Sequence, residues 1–280
     1  MNTDRIAKIL ILNDVHVGDK SLDEGSKKYS NSLNKLEGLF KNVEIIKDVE
    51  SMIFLGDAIK SFYGERDAVK DSKFLENFVH ALKGFEGKKY FTLGNNEIRK
   101  LNKDSILKII KNDLDAVDES GIPFNFNFEL GSKYNFIILD FNITKQVVDN
   151  EEVPVPHITD KSFDFLKSKL KRDKINLFFT HYPIIEKNLE EEPIGSPSFT
   201  RHIYSNRDAV IKLFANHTVF HFHAHKHETG FSTLKNLTSI SLPGFVENLM
   251  YGCGLGENPG IYSILELFPD KFVLKSYSGK

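Results

Sequence analysis

The sequence has 280 residues, 40% hydrophobic and 27% charged, and its 37 Lys and Arg nearly balance 39 Asp and Glu for a formal net charge of -2. A chain of this size buries a large core, and without a basic field nothing argues for electrostatic capture of long nucleic acid, so a small substrate is the expectation. A lone Cys253 excludes an intramolecular disulfide framework, and with no signal-type stretch and no run near the ~20 apolar residues of a membrane span, a cytoplasmic chain without a membrane partner is expected.

Nothing reads as an interdomain linker, so 1–280 is expected to form a single domain. Ile6 to Asn13 is a nearly continuous apolar run, the signature of a strand covered on both faces. Leu33, Leu36, Leu39, Phe40, Val43 and Ile46 recur at helical spacing over 30–50, and Met52 to Leu55 is the next strand. A second β-α-β unit follows, with a helix through Phe74, Leu75, Phe78, Val79 and Leu82 and a strand from Tyr90 to Leu93. After a helix from Ser105 to Val117, the alternating segments Phe124–Leu130 and Tyr134–Phe141 predict a hairpin about Gly131-Ser132. Thr159 caps a helix through Leu170, and then come a strand Ile175–Phe179, a helix Arg207–Phe214 and a strand Thr218–Phe222. Two last strands are expected around Ser239 and over Ile261–Phe268.

Five polar clusters each close one of these apolar runs: Asp14-Val15-His16, Gly56-Asp57, Gly94-Asn95-Asn96-Glu97, Thr180-His181-Tyr182-Pro183 and His223-Ala224-His225-Lys226-His227. Clusters that end successive strands meet along one sheet rim, where open α/β folds build their sites. Asp14 and His16 stand two apart, as do His225 and His227, so each pair projects to one side of an extended segment and can converge on one ion. A donor set of Asp, Asn and His suits Mn, Fe, Zn or Mg, and not a thiolate cluster. Alone, Gly56-Asp57 would be an ordinary turn, and the stack His217, His221, His223, His225, His227 an adventitious metal binder.

In order and separation these blocks, Asp-x-His, Gly-Asp, Gly-Asn-x-Glu, His and His-x-His, resemble the calcineurin-like metallophosphoesterase superfamily over residues 9–227. The Pro193-Ile194-Gly195-Ser196 loop, Asn206-Arg207-Asp208 and Asn258-Pro259-Gly260-Ile261-Tyr262 are similar to its class III cyclic-nucleotide phosphodiesterase-like branch. The resemblance implies an α/β fold, a four-layer α-β-β-α sandwich of mixed sheets with a dimetal site on its rim. It also implies two divalent ions, with Mn favoured. Asp14, His16 and His227 would hold the first, Asn95, His181 and His225 the second, and Asp57 would bridge them. The family pattern Gly-His-x-His fits either His223-Ala224-His225 or His225-Lys226-His227, and the second is preferred because Ala224 replaces glycine more closely than Phe222 does.

The implied activity is hydrolysis of a nucleotide or other small phosphate ester by a metal-bridging hydroxide, a phosphodiesterase reaction by preference. The alternatives are a phosphomonoesterase or nuclease of the same superfamily, or a binding or scaffold protein that has shed chemistry. Glu97 and Asp140 are candidates to orient the imidazoles. Asn96 departs from the family's usual Gly-Asn-His-Asp/Glu: its amide can donate a hydrogen bond to a phosphoryl oxygen, but it cannot protonate a leaving group. His202, beside Arg201, is the candidate replacement acid. The loop 184–205 is expected to cover the substrate, and Glu190-Glu191-Glu192 within it to discourage highly anionic ligands.

Overall fold

The computed structural model describes residues 4–24, 27–61, 68–114, 121–148, 151–185, 204–247 and 259–279. These fall into two compact units, one of Met1–Ala116, Lys226–Glu228 and Pro243–Lys280, the other of Val117–His225 and Thr229–Leu242. Each is built on a large mixed sheet.

In the first unit, β1 (Ala7–Leu12), β2 (Ser51–Leu55) and β3 (Lys88–Thr92) are parallel neighbours. Antiparallel β12 (Ile261–Leu267) and β13 (Phe272–Ser278) extend the sheet beyond β1, in the order β13-β12-β1-β2-β3. All five residues of β2 are buried, as a strand covered on both faces requires. Helices α1 (Ser32–Lys41) and α3 (Ala68–Ala81) make the crossovers. Leu36, Leu39 and Phe40 of α1 and Leu75, Phe78 and Val79 of α3 are buried at helical spacing. Phe54 of β2 lies 5.1 Å from Phe91 of β3 and 4.7 Å from Phe78, centroid to centroid, so part of the phenylalanine-rich composition is core.

The helix expected over 30–50 is interrupted. Asn42 is extended, with φ -85° and ψ 91°, and separates α1 from the single turn α2 (Val43–Ile46). Asparagine competes for its own backbone and favours such breaks. Helix α4 (Lys103–Ile110) is capped by the Asn102 side chain, which accepts from Ser105 N at 2.8 Å. It ends seven residues before the expected Val117, in a turn where Asp113 N donates to Ile110 O at 3.0 Å.

The second unit carries a six-stranded sheet ordered β10-β11-β9-β8-β5-β4. Its strands are β4 (Phe126–Leu130), β5 (Tyr134–Ile138), β8 (Ile175–Thr180), β9 (Thr218–His223), β10 (Gly230–Leu234) and β11 (Leu237–Ser241). The central four are parallel and the two edges antiparallel. The hairpin β4–β5 turns at Gly131, whose φ of 59° explains the glycine. Phe136 stacks between Phe128 and Phe179, and Phe179 on Phe222, a ladder running across four strands. Helices α5 (Asp160–Lys169), with Thr159 as its cap, and α6 (Arg207–Leu213) supply the crossovers.

Four strands escape the sequence reading. β6 (Asn142–Val148) and β7 (Glu151–His157) form a separate two-stranded ribbon in which Pro154 faces Lys145 and Pro156 faces Ile143. Prolines lack the ladder donor and argue against a strand, yet a free-standing ribbon has an outer edge that accepts them. β10 and β13 are edge strands whose largely exposed side chains carry no core-facing alternation. Among the described residues no helix is long and apolar enough to cross a membrane.

Candidate metal centre

Every predicted ligand follows the carboxyl end of a parallel strand: Asp14 and His16 follow β1, Asp57 follows β2, Asn95 follows β3, His181 follows β8, and His225 and His227 follow β9. In the first unit two of these exits are laced together. Asp14 N donates to Gly56 O at 3.0 Å, His16 N to Asp57 O at 2.9 Å, Val17 N to Ala58 O at 2.7 Å and Lys60 N to Val17 O at 3.0 Å. The lacing extends the β1–β2 pairing past both strand ends in a twisted form. Asp14, His16, Asp57, His225 and His227 all take positive φ, between 49° and 70°. That conformation is uncommon outside glycine and gathers at functional sites, where surrounding structure over-determines it.

Close approach also fixes three glycines. A Cβ on Gly94 would collide with the Asp57 carboxylate, one on Gly56 with the Gly94 backbone, and one on Gly244 would come 2.9 Å from the His227 ring and 3.2 Å from Asp14 Cβ. Gly244 does not stand out in the sequence, because nothing about Pro243-Gly244 distinguishes it from an ordinary turn.

Asp14, His16 and His227 each bring one donor atom within 4.8 Å of the other two. His227 Nε2 stands 3.2 Å from Asp14 Oδ1 and 3.2 Å from His16 Nε2, and His16 Nε2 stands 3.7 Å from Asp57 Oδ2. Two imidazole Nε2 atoms face to face beside carboxylates cannot both carry protons without repulsion, and a shared cation resolves the arrangement. The outer nitrogens are held to match: His227 Nδ1 lies 2.9 Å from Glu247 Oε1 and His16 Nδ1 lies 3.4 Å from Ile59 O. Each contact keeps the proton on Nδ1, so that the neutral ring turns its Nε2 lone pair inward. Asn13 Nδ2 donates to Asp14 Oδ2 at 2.7 Å and to Pro243 O at 3.1 Å. Asn13 and Glu247 are supports that sequence reading misses, since one sits inside the apolar run and the other has no motif around it.

Asp57 is clamped from the third cluster. Asn96 donates its backbone N–H to Asp57 Oδ1 at 2.8 Å and its side-chain Nδ2 to Oδ2 at 2.5 Å. The Asn96 amide is itself fixed, its Oδ1 accepting from Ser61 N at 2.9 Å and Arg99 Nη1 at 3.0 Å. Glu97, fully buried, accepts from Gly94 N at 2.7 Å, Asp57 N at 3.0 Å and Ile59 N at 3.2 Å, tying the second and third loops to one carboxylate. It therefore orients the backbone around Asp57, and not an imidazole as the sequence suggested. Asn95 is buried in the same loop.

In the second unit His181 is fully buried, its ring parallel to Phe141 at 6.1 Å, and 5.1 Å from the His225 ring, edge to face. Its carbonyl accepts from Ala224 N at 3.0 Å. His223 stacks on His221 at 5.3 Å, with Nδ1 3.2 Å from Ala224 O. Asp140 is buried, its N–H donating to Asn125 Oδ1 at 2.8 Å. His202, Arg201, Glu190-Glu191-Glu192 and Cys253 lie outside the described residues.

The electrostatics of the first unit's group have a definite sign. Burial pushes His16 down to about 4, with the neighbouring His227 acting in the same direction against Asp57 and Asp14. His227 is pushed up to about 9 because Asp14 and Glu247 together outweigh its burial. Burial and the charge of Asp57 raise Glu97 to about 8, against its three backbone hydrogen bonds. In the metal-free chain, the stabilisation from His227 is complete below its unfolded value of 6.5 and is lost as pH rises through 9. That from Glu97 is lost between 4.5 and 8, and the depressed His16 acts oppositely, but only between 4 and 6.5. The melting temperature of metal-stripped protein is therefore expected to fall from pH 6.5 to 9, and saturating Mn to remove the part of the decline that comes from the His227 proton. A flat metal-free profile measured by scanning calorimetry would contradict this charge arrangement.

A model of the calcineurin-like phosphoesterase family matches residues 7–229. The chain belongs to the calcineurin-like phosphoesterase family. No curated protein matches the sequence. Among solved structures, TT1561 of Thermus thermophilus is similar with a TM-score of 0.52 at 13% identity, covering 98% of this chain and 100% of that one. The phosphopantetheinyl hydrolase PptH from Mycobacterium tuberculosis is similar with a TM-score of 0.54 at 10% identity, covering 86% of this chain and 91% of that one. At these identities the likeness is one of fold. Calcineurin-like phosphoesterases are dimetal-dependent phosphoric ester hydrolases. The donors gathered here, a carboxylate and two imidazoles turned inward by outer partners, are of the chemical type that holds a hard to intermediate divalent ion.

Proposed function

We propose that this calcineurin-like phosphoesterase is a phosphodiesterase acting on a nucleotide or another small phosphate ester with two divalent ions, Mn by preference. The observation that carries the reading is the convergence of Asp14, His16 and His227 donor atoms within 4.8 Å, in a chain of this family. Asp14, His16 and His227 take one ion. By the family resemblance Asn95, His181 and His225 would hold the other, with Asp57 offered to both. When bound, the ion pair supplies Lewis acidity to the phosphoryl oxygens and acidifies a water nucleophile.

The chain's own residues set what that chemistry can do. Asn96 and Glu97 hold the Asp57 carboxylate and its loop, while Glu247, Ile59 and Asn13 fix the tautomers and rotamers of His227, His16 and Asp14. Asn96 cannot protonate a leaving oxygen, and its bonds to Asp57, Ser61 and Arg99 commit the amide to the support of Asp57. Esters whose leaving group departs without a proton are favoured accordingly. A general acid contributes about 10²–10⁴-fold, so nitrophenyl esters are expected to outrun alkyl esters by more than their leaving-group acidities alone would give. His202→Ala is expected to steepen that dependence further if His202 supplies a proton. An unchanged Brønsted slope would exclude it as the acid.

The reading is tested by hydrolysis of bis-nitrophenyl phosphate beside nitrophenyl phosphate on metal-stripped protein, with Mn, Mg, Zn or Fe restored. Metal-dependent turnover that favours the diester supports it. Preference for the monoester would make the chain a phosphomonoesterase, and two bound ions without turnover on either would point to a protein that has kept the site and shed the chemistry.

A further inference from the structure

The stacked histidines of β9 include one, His221, that lies outside the ligand set yet is fully buried at the centre of the second unit's sheet. Its Nε2 is 2.8 Å from Thr180 Oγ1 on β8 and its Nδ1 is 2.9 Å from Ser239 Oγ on β11, the two strands that flank β9. Thr180 Oγ1 in turn lies 2.6 Å from Tyr182 O. The proton order of this chain is fixed by elimination. A carbonyl only accepts, so the single Thr180 hydroxyl proton goes to Tyr182 O. Thr180 Oγ1 must then accept, which puts a proton on His221 Nε2. The neutral ring leaves Nδ1 bare, and it accepts from Ser239. Burial, reinforced by His223, holds His221 well below the ordinary imidazole range and so in that neutral form.

The relay ends on the turn that presents His181. Tyr182 O is bound by Thr180, and the preceding carbonyl, that of His181, is bound by Ala224 N at 3.0 Å. Two consecutive carbonyls are thereby pinned while Phe141 lies flat against the His181 ring. An apolar residue at 221 would fill the same volume without fixing anything, so the buried imidazole is explained by what it holds.

We infer that Ser239, His221 and Thr180 are positioning residues whose one-directional hydrogen-bond relay sets the His181 turn for the second ion. This rests on the proposed role of His181. The test is Mn titration of metal-stripped wild type, Thr180→Val and Thr180→Ser, following free Mn and the exchange-coupled dinuclear signal by electron paramagnetic resonance, with thermal unfolding in parallel. Wild type is expected to bind two ions. Thr180→Val should keep the first and weaken the second by about 10–100-fold, the usual cost of losing an outer partner, and Thr180→Ser should restore it. If Thr180→Val does not fold, Ser239→Ala carries the same comparison. Two-ion binding equal to wild type in the variant, or equal loss at both ions, overturns the inference alone. Fewer than two ions in wild type overturns the dimetal reading and the inference together.

Discussion

Asp57→Asn is expected to abolish metal-dependent phosphoester hydrolysis while leaving the chain folded. Both oxygens of Asp57 accept from Asn96, one from its backbone N–H and one from its side-chain amide. The Asn96 amide cannot turn over to offer an acceptor, because Ser61 N and Arg99 already bond its oxygen. An asparagine at 57 therefore sets its own NH₂ against one of two fixed donors, at a cost of about 1–3 kcal/mol. The loss of charge works the other way, since Asp57 is one of the two causes that push the Glu97 carboxyl up. The two effects oppose, so the metal-free melting temperature should move little. What disappears is the anionic donor proposed to serve both ions. Activity should fall by more than the roughly 10–100-fold that loss of an outer partner costs. The Mn-induced rise in melting temperature should shrink with it. Turnover within about tenfold of wild type, or about 1.4 kcal/mol of transition-state stabilisation, would remove Asp57 from the chemistry.

Glu97→Ala should have the largest effect on stability. It strands three buried N–H groups, those of Gly94, Asp57 and Ile59, which now share one carboxylate. Unsatisfied donors cost about 1–3 kcal/mol each, and a total near 3–5 kcal/mol is expected after partial relaxation. For a protein of this size that lowers the melting temperature by roughly 10 °C. Glu97→Gln should fall between Ala and wild type. Its carbonyl can keep the Gly94 and Asp57 donors while its NH₂ meets only the Ile59 N–H. Chemical denaturation of the three proteins gives the ranking directly, and a Gln variant as unstable as Ala would show that the acceptor count at 97 does not set the stability of the loops.

The sheets and the ligand motifs are legible in the sequence because each rests on a local rule. A strand buried on both faces is continuously apolar, as Met52 to Leu55 shows, and a rim residue of a parallel sheet must stand just beyond such a run, as Asp57 does. The helix-capping residues Thr159 and Asn102 are likewise local, and Thr159 is readable from the sequence. What escapes is decided by partners far away along the chain. Glu247 reaches His227 across twenty residues, Gly244 is required by a ring it precedes only in space, and His221 has meaning only through Thr180 and Ser239 on other strands. The ribbon of β6 and β7 is hidden for the converse reason: its prolines and polar residues suit a ribbon that buries little, so no periodicity marks it.

The position of β1 also dictates an order of assembly. Its parallel neighbour β2 is synthesised about forty residues later, but its antiparallel neighbour β12 arrives only with residues 261–267. During translation this largely apolar strand thus waits with one row of backbone donors and acceptors open, while the whole second unit is made. Contacts this distant in sequence slow folding, and an unpaired apolar edge is a template for association with other chains. The open edge at Ile9 and Ile11 is covered only when the carboxy-terminal hairpin of β12 and β13 closes the sheet.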